Sequence, residues 1–196
     1  DGWRGITLKW APNWMRQRTI EAYHRAILED KFPSAWPRWL IDMIPKRKES
    51  RLFKKNRDIW NVPHGWKILA GCLRIGYERV ADAAMLPSSC GFRARRNAPE
   101  VGATTRIINQ MTLMTGAAVV RVYVDLAGFF MGISRKFMYS LESYLGVAEG
   151  VTGVMRGVQE LATGSVSTAH GLCEPFECVA GTGQGCNCSP SRAMLD

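Results

Sequence analysis

Apolar residues recur with helical spacing in several parts of the chain. The clearest case contains Val151, Val154, Met155 and Val158, which follow one another at intervals that place them on one face of a helix. The same reading predicts helices over residues 13–28, 66–84, 103–117 and 134–145, with Ser134 as an N-cap, and a further helix start at residue 189.

Other segments have the pattern of strands. Residues 39–44 form an apolar run, and residues 165–180 contain two short candidate strands. Residues 119–125 alternate valine with other side chains, which predicts a buried strand ending at Asp125. Between residues 46 and 57 lie seven basic residues and one glutamate, the composition of an exposed hairpin or loop. The mixture favours an α+β fold over a doubly wound sheet.

Composition restricts the class of protein. With 196 residues, 46% of them hydrophobic and 22% charged, the sequence is typical of a globular protein and not of a disordered or collagenous one. No apolar run approaches the roughly 20 residues of a membrane span, and no secretory signal is visible. We therefore expect no membrane partner and an intracellular location, in the nucleus, the cytoplasm or an organelle. The six cysteines do not predict a disulfide framework in a chain this apolar, which favours a reducing compartment.

Charge is unevenly distributed. Residues 1–121 hold 22 Lys and Arg against 10 Asp and Glu, a net +12, whereas residues 122–196 hold 4 against 7, a net −3. Such a basic half indicates a polyanionic partner, although a solvated basic face gives the same count. All seven tryptophans lie in the first 66 residues. They predict either stacking surfaces for bases or, as we favour for most of them, a small module stabilised by large aromatic side chains.

Taken singly, the candidate sites are weak. Asp125 could hold a divalent cation at a strand end or simply end a strand in a turn. The glycine-rich segment 181–185 lacks the endings of known phosphate-binding loops and could be a flexible turn. Cys173, Cys178, Cys186 and Cys188 do not have the spacing of zinc ligands, so we expect small core residues there. The histidines lie outside any recognisable catalytic pattern.

Taken in order, several short segments form a specific pattern. They are Ile44-Pro45-Lys46, Arg57, Pro63 with Trp66-Lys67-Ile68-Leu69, Cys90-Gly91-Phe92-Arg93, Tyr123-Val124-Asp125-Leu126 and Gly183-Gln184-Gly185-Cys186-Asn187-Cys188-Ser189-Pro190. This order resembles the reverse transcriptase domain of retroelements, especially the non-LTR retrotransposon and group II intron types, over residues 39–196. The resemblance implies the fingers and partial palm of a right-hand polymerase, with an antiparallel palm sheet packed on helices.

The resemblance also assigns residues to a nucleotide site. Asp125 matches the catalytic, metal-binding aspartate, and Leu126 supplies a backbone carbonyl beside it. Phe130 matches the bulky residue beneath the sugar, which excludes a 2′-hydroxyl. Gln184 and Gly185 match the turn that packs against the new base pair.

The fingers supply the remaining implied contacts. Lys46 and Arg57 match residues that grip the triphosphate, and Arg93, Arg95 and Arg96 lie in an element that binds nucleic acid. The implied reaction is two-metal nucleotidyl transfer from a dNTP to a primer 3′-OH, with Mg²⁺, or alternatively Mn²⁺, as the ion. The implied partners are an RNA template and a DNA primer.

The implied regions are a basic, Trp-rich extension over residues 1–38, a fingers-like region over 39–118 and a partial palm over 119–196. Three departures stand beside them. Met131 lies where such enzymes often carry a second acidic group, and Phe129 lies where a small residue is common. The family's paired-aspartate motif is absent up to Asp196, so we expect the polypeptide alone to be inactive.

Two alternatives remain open. The first is a retroelement-derived module that binds nucleic acid or serves a structural role without catalysis. The second, weaker one is a small zinc-stabilised binding domain built on the late cysteines.

Overall fold

The computed structural model describes residues 9–46, 56–183 and 185–193. The helices in these ranges are α1 (Asn13–Leu28), α2 (His64–Ala84), α3 (Ala98–Thr115), α4 (Phe129–Gly132), α5 (Arg135–Tyr144), α6 (Glu149–Glu160) and α7 (Ser189–Ala193). The strands are β1 (Arg38–Pro45), β2 (Asn56–Asn61), β3 (Thr163–Thr168), β4 (Gly171–Leu172) and β5 (Phe176–Glu177). The predicted α+β class is confirmed, and each predicted helix is present with modest shifts at its ends.

One mixed sheet joins the five strands. Strand β1 lies between β2, which is antiparallel to it, and β3, which is parallel to it. The far edge of β3 pairs with β4 near one end and with β5 near the other. The antiparallel sheet that the resemblance implies is only partly present, because residues 38–42 and 163–167 run in the same direction. The strand predicted over residues 39–44 is confirmed as part of β1, while residues 47–55 lie outside the described ranges.

Tryptophan side chains fill the centre of the main core. Trp36, Trp39, Trp60 and Trp66 are each at most 6% exposed, and the rings of Trp39 and Trp60 meet edge to face at 5.5 Å. Large aromatic side chains of this kind bury more surface than any other type. For these four residues the prediction of a structural role is confirmed.

The N-terminal helix belongs to the same core. Ala26 of α1 is buried there, and the Tyr23 hydroxyl donates a hydrogen bond to the carbonyl of Gly65 at 3.1 Å. Trp10 and Trp14, by contrast, are 75% and 69% exposed. Helix α6 closes the core from another side with the side chains predicted to face inward, namely Val154, Met155 and Val158.

A second, smaller core surrounds the short helix that follows Asp125. Ile133, Met138 and Ala193 are buried there, and Phe129 and Phe130 pack against them. The predicted cap of α5 is confirmed, since the Ser134 hydroxyl accepts a hydrogen bond from the Phe137 amide at 3.4 Å.

The predicted strand over residues 119–125 is wrong. This segment forms no strand, and its valines Val120, Val122 and Val124 are 90%, 80% and 79% exposed. A β-branched segment becomes a strand only where another strand lies beside it, and β1 to β5 pair with one another and not with this segment. The preceding helix α3 also lacks buried residues.

Within the described ranges, no helix combines the length and the apolar character needed to cross a lipid bilayer.

Candidate nucleotide-binding site

Residues 181–183 and 185, called the glycine turn below, are held in part by backbone contacts with the helix that follows Asp125. The amides of Gly181 and Thr182 donate to the carbonyls of Ile133 and Phe130, both at 3.0 Å. Gly181 has a φ of +79°, and a Cβ atom there would lie only 2.7 Å from the Phe130 carbonyl oxygen. A glycine is required here both for the backbone conformation and for the close approach.

The other side of the glycine turn lies against the paired strands β1 and β2. A Cβ atom on Gly183 would meet the Trp39 ring at 3.2 Å, and one on Gly185 would overlap the carbonyl oxygen of Trp60. Gly185 has a φ of +142°, which side-chain-bearing residues rarely adopt. The glycine turn is therefore enclosed between the segment after Asp125 and the strands that lead to Lys46.

Side chains fix the glycine turn further. The Ser189 hydroxyl lies within hydrogen-bond distance of the carbonyls of Thr182 and Gly183, at 2.5 and 2.8 Å. The Arg135 guanidinium donates to the carbonyls of Gly181 at 2.9 Å and Ala180 at 3.4 Å. Burial lowers the pKa of Arg135, since the groups it bonds to are neutral carbonyls.

A buried ion pair links the helix after the glycine turn to α5. Arg192 Nε lies 2.5 Å from Glu142 Oε1, and its Nη1 donates to Gln159 Oε1 at 2.7 Å. The hydroxyls of Tyr77 and Tyr139 donate to the same two acceptors. Burial lowers the pKa of Arg192, but the Glu142 carboxylate outweighs this effect and the net shift is upward. Burial, with Glu142 beside it, raises the pKa of Tyr77.

Sequence reasoning missed this network. Arg192 and Glu142 are at most 1% exposed, but they lie fifty residues apart, so neither is near its partner in the sequence. The available signal was the single basic residue in a short segment of small and apolar side chains after the glycine turn.

Asp125, the predicted catalytic residue, is exposed to solvent. It lies on a segment without regular structure, and Leu126 is 62% exposed. Phe130 is half-buried, and its backbone contacts the glycine turn directly. Gln184 lies outside the described residues, while its neighbour Gly185 contacts β2.

The predicted triphosphate contacts lie at one end of the β1–β2 pair. Arg57 of β2 is opposite Ile44 of β1, and Lys46 follows the last paired residue of β1. Both basic side chains are exposed. With the other described residues they form no ion pair.

The three arginines after α2 differ in their surroundings. The Arg93 side chain is 11% exposed and pairs with Asp82 at 2.7 Å, which lowers the pKa of that carboxyl. Arg96 pairs with Glu100 at 3.3 Å, whereas Arg95 is exposed. Arg93 thus has internal partners, whereas Arg95 forms no ion pair with another described residue.

All six cysteines lie in the described ranges and are free. Cys178, Cys186 and Cys188 are buried as expected, but Cys173 is exposed, so the prediction of a core position is wrong for Cys173. Burial and the neighbouring Cys186 raise the pKa of Cys188 to about 12.

The described residues do not form a complete metal site. In these ranges no group of three or more His, Cys, Asp and Glu side chains could hold a metal ion. Asp125 offers one carboxylate, whereas Mg²⁺ takes about six oxygen ligands. Asp125 therefore fits as a single ligand only.

A cavity of about 890 Å³ lies between α5, α6 and β5. None of the predicted site residues lines it. A smaller cavity of about 410 Å³ does include Phe92 and Arg93.

Neither the protein-family models nor the curated proteins compared with this sequence match it.

Proposed function

We propose that this chain is part of a retroelement reverse transcriptase, an RNA-directed DNA polymerase, and that the glycine turn belongs to its nucleotide-binding site. One observation supports the proposal most directly. The glycine turn packs on one side against Phe130 and on the other against strands β1 and β2. In the family that the sequence resembles, the matching elements surround the incoming nucleotide.

The chemistry of such a site suits these residues. Phosphoryl transfer depends mainly on positioning and on stabilising charge on the phosphates. Arg57 and Lys46 are exposed cations without a carboxylate partner among the described residues, as a triphosphate contact requires. The net +12 over residues 1–121 suits an RNA template and a DNA primer. The finer fold we propose is the fingers with part of the palm.

The proposed ion is Mg²⁺, with Mn²⁺ as the alternative. Asp125 would supply one of its ligands, and further acidic ligands are needed to complete the coordination. We therefore expect no incorporation of nucleotides by the purified chain in a primer-extension assay with Mg²⁺. Incorporation would show that one carboxylate of this segment suffices and would refute this part of the proposal.

Nucleotide binding tests the proposal without requiring catalysis. Equilibrium dialysis with labelled dATP should show that Arg57→Ala weakens binding about tenfold or more, because hydrogen bonds to charged groups contribute about 1.5–3 kcal/mol. Binding of dAMP, which lacks the outer phosphates, should change little. The matched control is Arg106→Ala, which removes an exposed arginine of α3. Equal losses for both variants, or no loss for Arg57→Ala, would refute the assignment.

A second candidate is the module that binds nucleic acid without catalysis. It is favoured by the exposed position of Asp125 away from any strand and by Met131 where a second acidic group is common. The two candidates differ in the effect of Asp125→Asn on dATP binding. A polymerase site should lose the part of its dATP affinity that Mg²⁺ adds. A non-catalytic module should show no such loss and should bind oligonucleotides equally well before and after the change.

A further inference from the structure

The loop between α2 and α3 contains two residues in an unusual backbone conformation. Phe92 and Arg95 have φ values of +52° and +62°. Residues with a Cβ atom avoid this region, and phenylalanine does so more than most. Such a conformation persists only where the surrounding structure enforces it, and it is found preferentially at functional sites.

Hydrogen bonds from Arg93 hold this loop against α2. Its Nε donates to Asp82 Oδ1 at 2.7 Å, and its Nη1 donates to the carbonyls of Leu86 at 2.9 Å and Ser89 at 3.2 Å. Its Nη2 lies 3.5 Å from the Asp82 carbonyl oxygen. These contacts tie the loop to the end of α2, so the neighbouring Phe92 is held in place.

The strained position presents an aromatic ring to solvent. Phe92 is 64% exposed, and its ring meets that of Phe130 edge to face at 6.2 Å. It also lines the cavity of about 410 Å³ described above, together with Ile75 and Met85. This volume lies within the range of small-molecule sites and exceeds the size of a nucleobase.

The charge of this cavity is positive once its ion pairs are considered. Its two carboxylates are both paired, Glu78 with Arg74 at 3.1 Å and Asp82 with Arg93 at 2.7 Å. Arg79 also lines the cavity and is exposed, without an ion pair to any other described residue. Sites for single-stranded nucleic acid combine an aromatic side chain that stacks on a base with a positive charge beside it. Phe92 and Arg79 provide this combination at the cavity.

We propose that this cavity binds an unpaired base of a nucleic-acid strand, which stacks on Phe92 while Arg79 contacts an adjacent phosphate. The inference rests on the proposed function, since Phe92 contacts Phe130, the residue assigned to the incoming nucleotide. Arg93 is then a positioning residue that holds the loop, and not a nucleic-acid contact.

Fluorescence anisotropy with the full chain and a labelled oligouridine tests this proposal. Phe92→Ala should weaken binding at least about fivefold, which is the smallest loss of affinity expected when one base–aromatic stack is removed. Phe92→Trp should retain the affinity. Binding of the strand should quench the tryptophan fluorescence of this variant more than that of the wild type, because the added indole stacks on the base. The control Phe137→Ala removes a ring that is 56% exposed on α5 and should leave binding unchanged.

A strand of the same length with abasic sugars separates base stacking from attraction to the backbone. The difference between wild type and Phe92→Ala should disappear on the abasic strand, whereas Arg79→Ala should weaken binding to both strands. Titration with UMP distinguishes the sources of the base: competition by UMP at the affinity of the strand would show a mononucleotide site and overturn the proposal of a strand. An equal effect of Phe92→Ala on both strands, or no quenching in Phe92→Trp, would also overturn it.

These results are separable from those for the proposed function. If Arg57→Ala leaves dATP binding intact while Phe92→Ala shows the base-dependent loss, the polymerase assignment fails and the base site stands. The converse pattern refutes the base site alone.

Discussion

The buried arginine of α7 offers a quantitative test of how the glycine turn is held. Arg192→Leu removes the guanidinium that pairs with Glu142 and donates to Gln159, while both partners remain 1% exposed. Removing one member of a buried ion pair costs about 3–5 kcal/mol, because the other charge loses its compensation. In a chain of this size, that loss lowers Tm by about 6–20 °C.

Urea unfolding followed by circular dichroism measures this loss directly. The matched control is Arg156→Leu, because both guanidinium groups lie over the Tyr139 ring, at 5.4 Å for Arg192 and 4.9 Å for Arg156. Arg156 is exposed, so its removal should cost at most about 1 kcal/mol. The contrast between the two variants isolates the buried charge from the contact with the ring.

The double variant Arg192→Leu with Glu142→Leu completes the test. Replacing both members of a buried pair by apolar side chains is often neutral or stabilising, so most of the lost stability should return. A loss below about 1 kcal/mol in the single variant, or a double variant no more stable than the single one, would refute the reasoning from charge compensation.

Three further predictions concern the thiols, the glycine turn and a helix cap. The exposed thiol of Cys72 should react with a thiol reagent in the native protein. Cys188, whose pKa is raised to about 12 by burial, should react only after denaturation. Mass spectrometry of the labelled protein checks this, and labelling of Cys188 in the native protein would contradict its burial. Gly185→Ala should destabilise the fold by about 1–3 kcal/mol because of its φ of +142°. Gly153→Ala, in open space on α6, should stabilise the fold by about 0.5–1 kcal/mol in the same unfolding assay, and equal effects of the two changes would argue against strain in the turn. Ser134→Ala should lower the free energy of unfolding by about 1 kcal/mol through loss of the α5 cap, and an unchanged value would show that the cap contributes nothing.

Local patterns predicted local structure well. The spacing of Val154, Met155 and Val158 identified α6 and the side of it that is buried, because helix periodicity is set by the chain itself. The cap at Ser134 depends on hydrogen bonds only three residues away and was predicted for the same reason.

Features that depend on distant partners were not predicted. The valine-rich segment that ends at Asp125 has the composition of a strand, but composition does not supply a partner, and strands β1 to β5 pair only with one another. The burial of Arg192 depends on Glu142, fifty residues earlier in the chain, so neither position shows it alone. The glycine-rich composition of residues 181–185 was visible in the sequence, while the contacts of this segment with Trp39 and Trp60 required coordinates.

The parallel pairing of β1 with β3 has a consequence for biosynthesis. Strand β1 can pair with β2 as soon as residue 61 has left the ribosome, but its other edge stays open until residues 163–167 follow. An open apolar edge is a site for association with other chains, and pairings between distant segments form slowly. The nascent polypeptide therefore carries an incomplete sheet while about a hundred further residues are synthesised. Chaperones bind such open edges, and a shortened version that ends before β3 should aggregate.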